Sequence, residues 1–285
     1  MKLLDILKRK EKNNEPENNS PELLAVKLFF IEKPILIDEE IINSLNKRFD
    51  NIEFPQLNSP ESKSKQYFFN DYQVNYNGNK LPAQATILIP DKNGIELNKL
   101  QASFQQSWSW REAESVVRQC NYEILLTDFM SKGLEYKLRL EYFQKFVSSI
   151  VETIKPNAIW ISNGEKIMNN EDYLKSFSTN DYQNLNGFMN VRLFNIQTSN
   201  GEMLMDTLGL NSLGLPDFEI RFRGYDPPTI AGLLFDYGSY IFDKGVVIEN
   251  GNTIQGVEKN QKWKCYFKES MVDPKRIIIE IKNGG

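Results

Sequence analysis

Asp206-Thr207-Leu208-Gly209-Leu210-Asn211-Ser212-Leu213-Gly214-Leu215-Pro216-Asp217-Phe218 packs two Leu-Gly-Leu units and a Pro-Asp corner into one short span. Glycines at this density let backbone approach backbone, or a ligand, where a Cβ would clash. Gly209 and Gly214 are therefore read as architectural. Pro216-Asp217 reads as a turn, with Asp206 and Asp217 accepting hydrogen bonds from turn backbone.

Downstream of this motif, Phe218–Phe222 reads as a strand. Pro227-Pro228 suits the first turn of a helix running to about Phe242, with Gly245 just past its end. Val246–Glu249 and Thr253–Val257 are expected to form a hairpin around Asn250-Gly251, and Trp263–Lys268 and Arg276–Ile281 to complete the sheet. Upstream lie the strand-like runs Gly187–Gln197 and Gly201–Met205.

The first half repeats this mixture. Ala25–Glu32 is strand-like, and Asp38 is read as the N-cap of a helix over Glu39–Phe49. Tyr67–Tyr76 and Leu81–Pro90 are strands joined by Asn77-Gly78, a hairpin signal. Gln101–Trp108 is read as a strand, Arg111–Gln119 as a helix and Tyr122–Asp128 as a strand. Glu135–Lys155 is the longest helix, with Leu138, Phe143, Phe146, Val147, Ile150 and Ile154 as its apolar stripe and Pro156 as its stop. Ala158–Ser162 and Glu171–Phe177 follow as a strand and a helix.

Helices separated by hairpins predict an α+β protein of mainly antiparallel sheets with helices packed on one face. The element order hints at two related α/β-sandwich lobes. Residues 1–21 read as a flexible N-terminal tail or short amphipathic helix, 22–165 as an N-terminal lobe, and 166–285 as a C-terminal lobe carrying the Leu-Gly motif.

The chain has 285 residues, 34 basic and 38 acidic, for a net charge of -4. That balance argues against general nucleic-acid binding, which needs a clustered basic face. No apolar run reaches the ~18 residues of a membrane span. Lys8-Arg9-Lys10 follow Leu3, Leu4, Ile6 and Leu7, the reverse of a secretory leader, so a cytoplasmic location is expected.

Histidine is absent, and Cys120 and Cys265 stand far apart, read as buried, reduced thiols. Zinc sites and Ser-His-Asp or Cys-His catalysis lack their parts. No glycine-rich phosphate loop occurs, and no cofactor or metal is expected. What survives is carboxylate chemistry: Asp206, Asp217, Glu219 and Asp226 share a short span, either as turn acceptors or as ligands of a hard cation.

Two clusters suit binding. Arg221 and Arg223 alternate with Phe222 and precede Tyr225, which puts both arginines on one strand face. Trp108, Trp110 and Arg111 sit at a strand-to-helix junction, where two indoles form either a core wedge or a stacking platform.

Asp206-Thr207-Leu208-Gly209, Gly214-Leu215-Pro216-Asp217 and the later Gly251, Thr253 and Gly256 resemble the bacterial family catalogued as domain of unknown function 4261. Gln106-Ser107-Trp108, Leu126-Thr127-Asp128 and Ala158-Ile159-Trp160 are similar to longer members, extending the likeness over the last two thirds of the chain. The resemblance implies a cytoplasmic bacterial α+β protein and transfers no catalytic residue. The expected function is a non-enzymatic binding protein with a protein partner, an immunity or accessory protein of a bacterial toxin or secretion locus. A Mg-dependent Asp/Glu hydrolase or nuclease and a small-ligand sensor are the alternatives.

Overall fold

A computed structural model describes residues 22–55, 62–91, 93–179, 181–196 and 201–283; the tail or helix expected over 1–21 lies outside the described residues. The first half supplies, in order, β1 (Ala25–Phe30), α1 (Asp38–Asn46), β2 (Ile52–Glu53), β3 (Ser64–Tyr76), β4 (Asn79–Leu88), α2 (Gln101–Gln105) and α3 (Ala113–Val117). β5 (Tyr122–Phe129), α4 (Tyr136–Ile154), β6 (Ala158–Ile161) and β7 (Lys166–Met168) complete it. Its sheet has the order β2-β3-β4-β5-β1-β6-β7, with every neighbouring pair antiparallel.

α5 (Asn170–Lys175) then leads to β8 (Asn190–Asn195), β9 (Met203–Leu208), β10 (Asp217–Phe222) and α6 (Pro227–Lys244). β11 (Thr253–Gln255), β12 (Lys262–Glu269) and β13 (Ile277–Lys282) follow. The second sheet has the order β11-β12-β13-β10-β9-β8, parallel between β10 and β13 and antiparallel elsewhere. Two mostly antiparallel sheets with packed helices make this the expected α+β fold.

Local chemistry explains the clearest elements. Asn77 (φ 50°) and Gly78 (φ 82°) both take left-handed backbone, as the tight turn between β3 and β4 requires. Along β3 the buried positions are Lys65, Tyr67 and Phe69, then Tyr72 and Val74. A bulge between Phe69 and Gln73 shifts the parity and keeps both sets facing the core.

α4 fits its prediction closely. Glu135 caps it by accepting from the amides of Lys137 and Leu138, and Lys155 closes it in left-handed backbone before Pro156. Phe143, Phe146, Val147 and Ile150 are fully buried, whereas Leu138 is 44% exposed and lies off the stripe. Aromatic pairs join α4 to β3, Tyr67 with Phe146 at 5.9 Å and Phe69 with Tyr142 at 5.6 Å. On the other side Phe143 meets Phe188 at 6.1 Å and Tyr136 meets Phe242 at 5.5 Å. The helix is thus packed between β3 on one side and Phe188 and α6 on the other, and one core cluster spans both sheets. A smaller cluster of Phe29, Leu100, Ala113, Val117, Cys120, Ala158 and Ile167 lies with α2 and α3.

Three expectations are corrected. Gln101–Trp108 is no strand: a 3-10 turn over Leu97–Leu100 runs into α2. Leu97, Leu100 and Phe104 all pack on the smaller cluster, a helical spacing and not an alternating one. Val246–Glu249 does not pair with Thr253–Val257. β11 pairs with β12, and the amides of Gly251 and Cys265 already bond across to Cys265 and Asn252, so the 250–252 turn is claimed by β12. Asp38 does not cap α1, whose N-cap is Ile37; its carboxylate instead takes the buried Lys65 ammonium at 2.6 Å.

Candidate functional site

The Leu-Gly motif is the connection between β9 and β10. Gly209 (φ 131°) and Gly214 (φ 83°) flank a 3-10 turn over Leu210–Leu213. A Cβ on Gly209 would overlap the carbonyl oxygen of Phe188, with the Phe188 carbonyl carbon at 3.0 Å and Met189 Cα at 3.2 Å. The glycine is there because backbone crosses backbone.

Both motif aspartates are fully buried. Asp217 accepts from the Thr207 hydroxyl at 2.9 Å, from the Leu210 and Asn211 amides at 3.2 and 3.4 Å, and from Arg276 Nε at 2.9 Å. Asp206 accepts from Arg192 Nε at 2.9 Å and Nη2 at 2.6 Å, and from Arg276 Nη2 at 2.7 Å. The turn-acceptor reading therefore holds for Asp217, with a buried arginine added, and not for Asp206, which lies within β9 and whose carboxylate takes arginine donors instead of turn amides. Burial pushes the Asp217 carboxyl up, against the pull of Arg276 and the Thr207 hydroxyl. Burial alone would lower Arg192 and Arg276; bonds to the aspartates hold both above the ordinary guanidinium value.

Glu219 accepts from the Met271 amide at 2.8 Å and pairs with Lys268 at 3.3 Å. Asp226 caps α6 through the Thr229 amide at 3.1 Å. Asp206 and Asp217 thus share Arg276 while Glu219 and Asp226 face partners of their own, and no group of three acidic, Cys or His side chains among the described residues is placed to hold a metal.

A second buried pair ties the motif to the first sheet and α4. Arg139 on α4 binds Asp128 and donates to the Ser212 carbonyl at 2.9 Å and to the Glu22 carbonyl. Asp128 in turn accepts from the Leu24 amide at 2.6 Å and from Ser131. This arrangement orders β1, β5, α4 and the Leu-Gly turn together. Cys120 and Cys265 are free and buried, and burial pushes both thiols up to about 11, out of the nucleophilic range.

The arginine strand keeps its expected alternation: Arg221 and Arg223 are exposed and Phe222 is buried between them. Arg221 pairs with Glu202 at 2.6 Å on the surface. Tyr225 packs edge-on to Trp263 at 5.7 Å, and its hydroxyl accepts from Gln261 at 2.8 Å. Exposed pairs contribute little to stability. Arg221→Ala/Arg223→Ala should therefore shift urea-unfolding free energy by no more than about 0.5 kcal/mol.

At the other cluster, Trp108 is 44% exposed, Trp110 packs against the smaller core cluster, and Arg111 is exposed. Because α2 replaces the expected strand, the two indoles do not share a sheet face. The two predicted clusters stay apart. Arg221 registers with Leu204 near one end of β9, whereas Trp108 lies by Asn190, which registers with Leu208 at the other end.

Trp108 lines a cleft of about 250 Å³ where β7, β8, α6 and the 106–109 turn meet. Gln106 fixes one wall: its amide both donates to and accepts from the backbone of Leu193, at 2.9 Å each way, capping the β8 edge. Phe235 of α6, 41% exposed, lines the same cleft. Phe235 and Asn186 also line an adjoining cleft of about 320 Å³ that includes Asp181, Ser239 and Asp243. Together the two make a groove along α6, with an aromatic centre, Lys166 at one end and two aspartates at the other.

Lys166 was not legible as a site residue. It is half-buried, makes no ion pair with any described residue, and burial holds its ammonium below the usual lysine value. Its charged form is thus favoured in the unfolded chain. The resulting cost is present at neutral pH and is relieved as pH rises through the depressed folded value. Lys166→Met should raise the melting temperature at pH 7 by about 1–3 °C, with the gain shrinking in alkaline buffer when followed by calorimetry.

No curated protein and no solved structure matches the chain. The match to a family model starts at Asp206, so the stretches around Trp108, Thr127 and Trp160 lie outside it, while the Leu-Gly motif, α6 and β10–β13 lie inside. Residues 206–282 match the model of the family described as Domain of unknown function (DUF4261), and the chain is similar to that family over this span.

Proposed function

We propose that this chain is a non-enzymatic binding protein that takes an extended segment of a protein partner into the groove along α6. The observation carrying this reading is the contrast between two sets of polar groups. Asp206, Asp217, Arg192 and Arg276 are buried and spent on one another. The exposed rings of Trp108 and Phe235 and the unpaired Lys166 line accessible space. Exposed aromatics in a concave setting are the side chains that dominate binding energy at interfaces.

The charge layout commits the proposal to one kind of occupant. Lys166 closes one end; Asp181 and Asp243 close the other, the latter reaching Lys137 only at 4.0 Å. A segment with an apolar centre, an acidic group toward Lys166 and a basic group toward Asp243 complements it. The finer reading, an immunity or accessory role beside a bacterial toxin or secretion locus in the cytoplasm, belongs to this proposal and turns on the partner's identity.

The test is capture of partners on the tagged full chain, followed by hydrogen exchange on the isolated complex. A stoichiometric partner that slows exchange in 181–191 and α6, and is lost with Trp108→Ala/Phe235→Ala, is the expected result. A partner that protects another surface and binds that double variant unchanged overturns the reading.

A further inference from the structure

Two hydrogen-bond donors at the Trp108 end of the groove have no acceptor among the described residues. Lys166 has no ion pair or side-chain hydrogen bond with any described residue. Asn190, only 4% exposed, lines the same cleft, and its Nδ2 is buried without a partner. Leaving a buried donor unmade costs about 1–3 kcal/mol, and native folds seldom carry such groups without a use. Three neighbouring polar groups are already engaged. Gln106 is spent on Leu193, Asn186 donates to Ser176, and Glu165, next to Lys166, holds Arg192 at 3.0 Å.

Resting on the groove reading above, we infer that Lys166 and Asn190 form a carboxylate subsite, with the apolar body of the ligand against Trp108 and Phe235. The chemistry selects this class. One ammonium and one amide donor match the single charge and two oxygens of a carboxylate. A phosphate carries up to two charges and is typically met by an arginine fork or several backbone amides, and no arginine lines this cleft. Size narrows it further. A cleft of about 250 Å³ lies below the roughly 300–1,000 Å³ of pockets for drug-sized ligands. It suits one side chain or one chain end and not a whole cofactor. The depressed ammonium of Lys166 fits the same picture, since a bound carboxylate would restore its charged form.

The carboxylate has two sources, a partner's acidic side chain or its free C-terminus, and the probes separate them. Benzoate and benzamide, which differ in charge and share a ring, are titrated into the ¹⁵N-labelled full chain. Benzoate should shift the Asn190 side-chain amide pair and the Lys166 backbone amide with saturation, and benzamide should bind at least tenfold more weakly. Lys166→Met, which removes no side-chain hydrogen bond or ion pair to a described residue, should abolish the preference while leaving the rest of the spectrum in place. Acetyl-phenylalanine binding more tightly than acetyl-aspartate amide assigns a chain terminus; the reverse order assigns a side chain. Equal shifts from benzoate and benzamide, no shift at Asn190 up to the solubility limit, or an unchanged preference in Lys166→Met overturns the inference. The groove reading fails separately: carboxylate selectivity at Asn190 with a partner indifferent to Trp108→Ala/Phe235→Ala keeps the subsite and removes the docking role. Loss of the partner in that double variant without carboxylate selectivity does the opposite.

Discussion

Arg276→Met should destabilise the folded chain by about 3–5 kcal/mol. Arg276 is the only described side chain that bonds both motif aspartates, through Nη2 to Asp206 at 2.7 Å and Nε to Asp217 at 2.9 Å. Its Nη1 and Nη2 also satisfy the carbonyls of Pro274 and Thr207. Asp206 and Asp217 have no solvent exposure, so neither carboxylate can recover water when the guanidinium goes. Asp206 keeps Arg192; Asp217 keeps only the Thr207 hydroxyl and two turn amides. Arg276→Lys should rescue little, because a single ammonium cannot span the two carboxylates and the carbonyls. Urea unfolding measures the loss, and a change under about 1 kcal/mol in Arg276→Met would show the network to be dispensable.

Gly209→Val carries the other large effect, on the order of 3 kcal/mol or more. At φ 131° the backbone is closed to residues with a Cβ, and that Cβ would run into the Phe188 carbonyl. Neither obstacle can swing aside. Gly238 on α6 supplies the control. A Cβ there meets Met189 Sδ and Cε, the far end of a flexible side chain, and helix propensity favours alanine by about 1 kcal/mol. Gly238→Ala should therefore cost far less than Gly209→Ala. Equal melting temperatures for those two alanine variants would remove the backbone-crossing account of the motif.

Much of the fold was legible because its signals are local. Asn77-Gly78 names a turn, Pro156 and Pro227 bound long helices, and the stripe of α4 repeats at helical spacing. The Gln101–Trp108 segment reads differently in isolation because its helical face is marked by the spacing of Leu97, Leu100 and Phe104, two of which precede it. Val246–Glu249 looked like strand, yet pairing is decided by which neighbour the turn reaches, and the 250–252 turn bonds to β12.

The site was less legible than the fold. Asp206 and Asp217 were visible as motif residues, but their arginines come from positions 192 and 276, a pairing that only the sheet creates. One signal was present: Arg192 within Val191-Arg192-Leu193-Phe194 and Arg276 ahead of Ile277-Ile278-Ile279 are charges set in apolar strands, where a buried partner is needed. Trp108 was picked out for its size. Lys166, Asn190 and Phe235 carry no local signature and meet it only through β7, β8 and α6.

The most direct measurement of the central claim is calorimetric affinity of the purified partner for two double variants of the full chain. The groove account predicts that Trp108→Ala/Phe235→Ala weakens the complex by about 2 kcal/mol or more, since exposed aromatics in a concave site act as hot spots, while Arg221→Ala/Arg223→Ala binds like wild type. Full affinity in the aromatic variant together with lost affinity in the arginine variant would contradict it and move the interface to the opposite end of the second sheet.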